Sequence, residues 1–314
     1  MQFPDDFLTG LSLLYPDNVD SALQALKNPH HPAIRVNTLK TETESIKKIF
    51  TDANIEFQTV PWYKDAFTTP QSTASILGNL EAYNKGEFYI QNLSSILVSL
   101  ILDPQPGEKI LDIAAAPGSK TSHIAALMKN TGTIVANDIS RDRIFKLQHN
   151  LARLGVSNTE FSNMPGEKIW QKYPESFDRV LVDAPCSMEG RFILTDTESY
   201  ADWSLKKVKH LSKEQRWLLR SAVSATKVNG VILYSTCTMA PEENEEVIDW
   251  ILKKEQGTVE LLDIQYQNVP MVPGLVQWQE KKYDHTLEKT KRILPSSEME
   301  GFFIAKLRKI ASNI

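Results

Sequence analysis

The stretch KILDIAAAPGSKTSHIAALMKNTGTIVANDI, residues 109–139, decides the fold. Its first apolar run, KILDIAA, predicts a buried strand, and SKTSHIAALMKN predicts a helix that Asn130 and Gly132 end. GTIVANDI predicts the next strand. Strands that alternate with helices over short connections are typical of a parallel α/β sheet, and the stretch therefore predicts one.

The alternation continues through the rest of the chain. It predicts helices at 141–155, 205–227 and 242–254, and strands at 157–163, 177–185, 230–237, 258–264 and 301–309. Residues 1–106 differ, because they show short helices and two isolated strands, within IRVNTLK (34–40) and EFQTV (56–60). We therefore predict a smaller α+β domain at 1–106 and a doubly wound α/β domain at 107–314.

The composition indicates a soluble globular protein, with 41% hydrophobic and 24% charged residues and a net charge of −4. The longest apolar run, SILVSLIL at 95–102, is too short to cross a bilayer, and MQFPDDFLTG lacks the pattern of a secretory signal. Two cysteines in 314 residues do not suggest a disulfide scaffold. We expect a cytoplasmic protein with no membrane partner.

The loop between the first strand and its helix has the features of a ligand-binding turn. Ala114, Ala115 and Ala116 would let a ligand approach the backbone, and Gly118 permits a tight turn before the helix N-terminus. Asp138 ends the next strand, where an acid can accept both hydroxyls of a ribose. The glycine pattern of dinucleotide-binding folds is missing, which favours an adenosyl cofactor over a dinucleotide; simple packing is the alternative.

Both cysteines follow a predicted strand. Cys186 lies in FDRVLVDAPCSMEGRF (177–192) and Cys237 in ILYSTCTMAPEENEEVI (232–248). Because ligands bind outside the carboxyl ends of the strands in a doubly wound sheet, both thiols are expected to face one cleft. They could form a disulfide, bind a metal ion or act as free thiols.

Free thiols are the favoured interpretation. Two cysteines without a nearby histidine cluster fall short of a zinc set, so we expect no metal. A cysteine protease would need a histidine base, and none of the six histidines follows Cys237 at a strand end. A thiolate is a strong nucleophile. Asp183, three residues before Cys186, could pair with the amine and ring nitrogen of a base such as cytosine, or it could simply cap a turn.

At this point the sequence resembles the RsmB/Sun-type RNA (cytosine-5) methyltransferases. The segments DIAAAPGSKT (112–121), DAPCSMEG (183–190) and YSTCTMAPEENE (234–245) are similar to the family's cofactor loop and its two cysteine motifs, in order and spacing. IRVNTLK and RILPSSEMEGFFIAKLRK (292–309) resemble its N-terminal domain and closing motif. The resemblance covers nearly the whole chain and implies a Rossmann-like methyltransferase sheet.

The resemblance also implies a cofactor, S-adenosyl-L-methionine, and a set of site residues. The implied cofactor-binding residues are Ala114, Ala115, Ala116, Pro117, Gly118, Ser119, Lys120, Asp138, Arg143 and Asp183. Cys237 would be the nucleophile and Cys186 would help to release the product, with Asp183 and Lys120 beside them. Two positions depart from the family: Pro165 replaces an acid after the third strand, and Met188 stands where glycine is more usual.

The implied reaction is methyl transfer to carbon 5 of an RNA cytosine after Cys237 attacks carbon 6. The base would have to be flipped out or unpaired. WSLKKVKHLSKEQRWLLR (203–220), with six Lys or Arg and one acid, is expected to bind the flanking phosphates; a solvated helix face is the alternative.

Several alternatives stay open at the level of sequence. The chain could be a non-catalytic RNA-binding protein that kept the fold, or its thiols could have a redox role. A methyltransferase for protein glutamine or exocyclic amines fits less well, because those enzymes carry an Asn/Asp-Pro-Pro-aromatic motif where this chain has DAPC. The target RNA, ribosomal or transfer, is undecided, and we expect a monomer.

Overall fold

A computed structural model describes residues 2–314 and contains two main sheets. The amino-terminal strands are β1 (Ala33–Val36), β2 (Gln58–Thr59), β3 (Ala66–Thr68) and β4 (Phe88–Ile90). They form an antiparallel sheet in the order β2–β3–β1–β4. The helices of this part are α1 (Asp5–Leu14), α2 (Val19–Ala25), α3 (Thr43–Asp52), α4 (Ala74–Leu77), α5 (Glu81–Asn84) and α6 (Leu93–Leu102). The prediction that the two strands of this part are isolated is wrong, because both pair within this sheet.

Helix α3 shows how the amino-terminal sheet is covered. Ile46 and Phe50 are four residues apart, so they lie on one face of the helix. Both are buried, and they belong to one apolar cluster with Ile34 of β1 and Phe88 of β4. The rings of Phe50 and Phe88 meet edge to face, with centroids 5.8 Å apart.

The second sheet has nine strands and lies in the rest of the chain. Its strands are β5 (Lys109–Asp112), β6 (Thr133–Asn137), β7 (Thr159–Ser162), β8 (Phe177–Asp183), β9 (Thr226–Thr236), β10 (Val259–Leu262), β11 (Met271–Pro273), β14 (Lys291–Ile293) and β15 (Phe302–Lys309), while β12 (Gln277–Trp278) and β13 (Lys281–Lys282) form a separate hairpin. The helices are α7 (Ser119–Leu127), α8 (Arg141–Arg153), α9 (Leu205–Ala225) and α10 (Glu245–Lys254).

The order of the strands places a crevice at the carboxyl edge of the sheet. Strands β7, β6, β5, β8 and β9 are parallel neighbours in that order. The chain moves outward from β5 to β7 and then returns to β8, so the winding direction reverses between β5 and β8, where such folds bind ligands. The predicted α/β fold is confirmed. The sheet is mixed, however, because β15 runs antiparallel to β9 and pairs with β14 and β10.

Helices cover both faces of this sheet, as expected for a doubly wound fold. Along β8, Val180 and Val182 pack in a cluster with α9 and α10, whereas Leu181 points to the cluster that contains α6 and α7. Helix α6 lies within residues 1–106 but packs on the second sheet, through side chains such as Leu97 and Ile101. The boundary at residue 106 stays a prediction. Within residues 2–314, no helix has the length and apolar character to span a membrane.

Candidate active site

A cavity of about 470 Å³ opens at the carboxyl edge of the second sheet. The predicted site residues that line it are Ala114, Ala115, Ala116, Pro117, Ser119, Lys120, Arg143, Asp183, Cys186 and Cys237. Other walls come from residues that the sequence did not predict: Tyr89, Ile90, Gln91, Asn92, Asp112, Arg191, Glu300 and Phe302. The cavity is thus built from the strand-end loops of the second sheet and from residues in and just after β4 of the first.

Gly118 is the one residue of the predicted cofactor loop that does not line the cavity. It is the N-cap residue of α7 and has a φ of 103°, a left-handed conformation that favours glycine. A Cβ at this position would lie 2.8 Å from Cδ1 of Leu147 on α8. The glycine therefore lets the loop pack closely on α8 while its neighbours Pro117 and Ser119 face the cavity.

Asp138 lies behind the loop rather than in the cavity wall. Its buried carboxylate accepts hydrogen bonds from the backbone N–H groups of Ala116 (3.3 Å) and Ser140 (3.0 Å). The Nη1 atom of Arg143 lies 3.3 Å from the same carboxylate, and Nη2 donates to the carbonyl of Ala116. In this structure Asp138 and Arg143 together fix the shape of the loop, and Arg143 alone reaches the cavity.

The two thiols meet in the cavity. The Sγ atoms of Cys186 and Cys237 are 3.4 Å apart, and both cysteines are free and half-buried. The loops that carry them are joined by a hydrogen bond between the hydroxyls of Ser187 and Thr238 (2.8 Å) and by one from Gly190 N–H to the Cys237 carbonyl (3.0 Å). The hydrogen bond with Cys237, together with burial, raises the pKa of the Cys186 thiol well above its ordinary value.

Lys120 and Asp183 form an ion pair beside the thiols. The Nζ of Lys120 lies 2.7 Å from Oδ2 of Asp183, and Ser235 donates to Oδ1 at 2.8 Å. Burial lowers the pKa of Lys120, but Asp183, Cys237 and Asp112 together raise it by more, so the pKa of Lys120 is raised. The amine is therefore a permanent cation at neutral pH, and it holds Asp183 at the cavity wall.

Two further acids lie in or behind the site and were missed from the sequence. Asp112 ends β5 and accepts a hydrogen bond from Thr121 at 2.7 Å; burial raises the pKa of Asp112 to about 7. Glu243 lies behind the thiols, where it accepts from Ser187 N–H (3.0 Å) and from Gln215 Nε2 (2.7 Å). Burial raises its pKa to about 7 as well. Asp112 belongs to the cofactor-loop motif and ends its strand, and Glu243 belongs to the motif that contains Cys237. These positions were the available signal that the two acids lie at the site.

The comparisons with known proteins agree with this geometry. Residues 99–308 match the family described as 16S rRNA methyltransferase RsmB/F, and residues 3–93 match the N-terminal domain of 16S rRNA methyltransferase RsmF. The chain belongs to the RsmB/F methyltransferase family. The family predicted from the motifs is therefore confirmed.

Individual relatives are similar over most of the chain. The sequence is 39% identical over 285 residues to a tRNA (cytosine(49)-C(5))-methyltransferase from Pyrococcus abyssi (strain GE5 / Orsay), covering 90% of each chain. It is 35% identical over 318 residues to ribosomal RNA small subunit methyltransferase F from Vibrio cholerae serotype O1 (strain M66-2), covering 99% of this chain but 65% of that one. A crystal structure of a methyltransferase homolog from Pyrococcus horikoshii matches with a TM-score of 0.85 and 33% identity, over 98% of this chain and 95% of that one.

The two departures from the RsmB/F pattern have different positions. Pro165 follows β7, begins the 3-10 helix Gly166–Gln171, and does not line the cavity. Met188 lines the cavity and has a φ of 59°, in the left-handed region. That region favours glycine, which gives a physical reason for the glycine that the resemblance leads us to expect there.

The predicted basic helix is α9, which packs against the back of the thiol loops. Gln215 on this helix donates to the carbonyl of Pro185 at 2.8 Å. Lys206, Lys209 and Lys213 near its N-terminal end are exposed, whereas Arg216 pairs with a carboxylate, that of Glu246, at 3.5 Å. The proposal that this helix binds flanking phosphates stays a prediction.

Proposed function

We propose that the chain methylates carbon 5 of a cytosine in RNA, using S-adenosyl-L-methionine and a covalent adduct with Cys237. Membership of the RsmB/F family supports an RNA methyltransferase, and both relatives described above are named for RNA substrates. The observation that carries the covalent step is the 3.4 Å separation of the Cys186 and Cys237 sulfurs in one cavity.

The β5 side of the cavity has the features that the cofactor needs. The three alanines of the loop leave its backbone accessible to a ligand, and Asp112 Oδ1 is buried without a hydrogen-bond partner in residues 2–314. A buried carboxyl oxygen without a partner is costly, so this atom suits a ligand that brings an N–H donor, such as an amino acid amine. S-adenosyl-L-methionine, when bound, supplies a methyl group on a positively charged sulfonium. Asp112 and loop residues 114–120 would hold it.

The two thiols are suited to different tasks. The raised pKa of Cys186 keeps its proton on sulfur at neutral pH, so Cys186 can donate a hydrogen bond to Cys237. The Cys237 thiolate forms a bond to carbon 6 of cytosine, which moves electron density to carbon 5. After carbon 5 has gained the methyl group and lost its proton to a base, the carbon–sulfur bond breaks and its electrons return to Cys237. The S–H of Cys186 stabilises that departing thiolate.

Asp183 and Lys120 would orient the base. Each Asp183 oxygen already accepts one hydrogen bond, from Lys120 or Ser235, and each keeps a second acceptor site. Those sites can accept a hydrogen bond from the exocyclic amine of cytosine. They can also accept one from ring nitrogen 3 when that nitrogen carries a proton, and this stabilises the charge that develops there during attack. Because Lys120 and Ser235 fix the carboxylate beforehand, it does not need to reorganise when the base arrives.

The test is transfer of tritiated methyl groups from S-adenosyl-L-methionine to total RNA. Wild-type protein should label RNA, and Cys237→Ser should bind the cofactor normally but label none. Labelling by Cys237→Ser at the wild-type rate would overturn the covalent step, and RNA binding without any labelling by the wild type would indicate a non-catalytic RNA-binding protein. Bisulfite sequencing of labelled ribosomal and transfer RNA would then identify the cytosine.

A further inference from the structure

Arg191 is a cation at the rim of the cavity that the proposed reaction leaves without a role. It ends the 3-10 helix Glu189–Arg191, directly after the first cysteine motif, and it lines the cavity. Its side chain is 55% exposed, compared with 11% for Lys120. Arg191 therefore lies toward solvent, while the Lys120–Asp183 pair lies deeper.

The backbone beneath Arg191 is fixed by close contacts. Gly190 donates its N–H to the Cys237 carbonyl, and its own carbonyl accepts from Gly301 N–H at 3.3 Å. The approach is so close that a Cβ on Gly190 would lie 1.9 Å from the Gly301 carbonyl oxygen. Arg191 is thus attached to the same rigid segment that positions the Cys237 backbone.

The terminal N–H groups of the Arg191 guanidinium are not used by its ion pair. Its Nε lies 3.2 Å from Oε1 of Glu300, whose side chain is only 12% exposed. Beyond this ion pair, the guanidinium makes no hydrogen bond to any residue within 2–314. Arg143 is the other arginine on the cavity wall. Its two terminal nitrogens already contact the Asp138 carboxylate and the Ala116 carbonyl. Arg191 is therefore the arginine of this wall whose terminal N–H groups are available to a ligand.

We propose that Arg191, held through Nε by Glu300, binds a backbone phosphate of the target nucleotide with its terminal nitrogens. This inference rests on the proposed function and adds a positioning residue to it. A cytosine that reaches Cys237 has left its stack, but its phosphates stay on the strand outside the cavity. A guanidinium at the rim matches a phosphate with two parallel N–H donors, and phosphate contacts of this kind fix the position of the nucleic acid.

The experiment compares RNA binding by Arg191→Gln, Arg191→Lys and Glu300→Gln. Arg308→Gln is the matched control, because Arg308 is 46% exposed and lies 3.9 Å from Glu260 on the neighbouring strand. The probe is a fluorescein-labelled single-stranded oligocytidylate of about 12 residues, followed by fluorescence anisotropy from 50 to 300 mM KCl. KM for RNA, KM for the cofactor and kcat are measured on total RNA.

For Arg191→Gln we expect roughly tenfold or greater weakening of probe binding and a log–log salt slope shallower by about 0.7. KM for RNA should rise while kcat, the melting temperature and KM for the cofactor stay close to wild type, since a uniform binding contact is lost. The probe affinity of Arg191→Lys should be intermediate, because lysine keeps the positive charge but lacks the two parallel N–H donors of the guanidinium. Glu300→Gln should bind the probe as tightly as wild type or more tightly, because its amide oxygen can still accept from Nε of Arg191 while the negative charge near the phosphate is removed.

Two results would overturn the assignment. Arg191→Gln could bind the probe with the affinity and salt slope of Arg308→Gln, or Glu300→Gln could weaken binding as much as Arg191→Gln, which would indicate a purely structural ion pair. Neither result affects methyl transfer by the wild type. A wild type that transfers no methyl group to RNA would instead overturn the proposed function itself.

Discussion

Replacement of Cys186 by alanine should trap the covalent adduct between Cys237 and RNA. In the structure the Cys186 sulfur is 3.4 Å from the Cys237 sulfur, so its S–H can donate a hydrogen bond to the departing thiolate. A hydrogen bond to a charged group contributes about 1.5–3 kcal/mol, which corresponds to release slower by about 10- to 150-fold. The attack of Cys237 on the base needs no atom of Cys186, so the adduct should form and then persist.

The assay is a single-turnover reaction with labelled RNA and excess enzyme, followed by electrophoresis under denaturing conditions. Cys186→Ala should give a slowly migrating protein–RNA band that accumulates within the first turnover, while multiple-turnover methylation falls by the factor above. Cys186→Ser is the conservative control, because it keeps an O–H donor, and it should release product faster than the alanine variant. The double variant with Cys237→Ala should give no band.

Wild-type turnover by Cys186→Ala without a persistent band would refute the reasoning. It would mean that the departing thiolate is stabilised by another donor, and the contact between the sulfurs would then have no role in release. A band of equal intensity in the double variant would also refute the reasoning, because the adduct would then form on a side chain other than Cys237.

Three further outcomes concern stability. Arg292→Leu should lower the free energy of unfolding by about 3–5 kcal/mol in urea titrations, since it leaves the buried carboxylate of Glu245 unpaired; a loss below about 1 kcal/mol would contradict this. Gly190→Ala should lower the free energy of unfolding by ~1–3 kcal/mol or more, and with it the melting temperature, because its Cβ would meet the Gly301 carbonyl oxygen at 1.9 Å. An unchanged melting temperature would show that this contact relaxes freely. Burial raises the pKa of Asp112 from 3.8 to about 7. Between pH 3.8 and pH 7 the unfolded chain therefore binds fewer protons at this residue than the folded chain, so the free energy of unfolding decreases as pH rises through that range. Relative to wild type, Asp112→Asn should gain on the order of 2 kcal/mol between pH 5 and pH 7, and a constant difference across that range would count against the raised pKa.

The parallel half of the second sheet could be predicted from sequence because each of its elements carries its own signal. Strand β8 contains the apolar run 180–182, which is buried on both faces, and α8 has the helical period of Ile144, Leu147 and Leu151. The antiparallel half gave weaker signals. Strands β11 and β14 have three residues each, and β14 includes Lys291 and Arg292, so only their pairing beside β15 makes them strands.

The cavity floor could be predicted for a similar reason. Asp183 ends β8, Cys186 and Cys237 follow β8 and β9, and Lys120 lies in the first turn of α7. In a doubly wound sheet such positions converge at one edge. The rim could not be predicted in this way. Glu300 and the residues around Tyr89 reach the cavity only because the closing strand β15 and the first sheet pack against the strand-end loops.

Met188 shows how the two levels of information combine. The resemblance to the family marks the position as a departure from glycine, but it gives no energetic reason. In the structure Met188 has a φ of 59°, and Gly190 in the same turn donates to the Cys237 carbonyl and accepts from the N–H of Gly301. A left-handed conformation costs a non-glycine residue about 1–2 kcal/mol. The residues that contact this turn, Cys237 and Gly301, are distant in the chain, so no local sequence pattern contains those contacts.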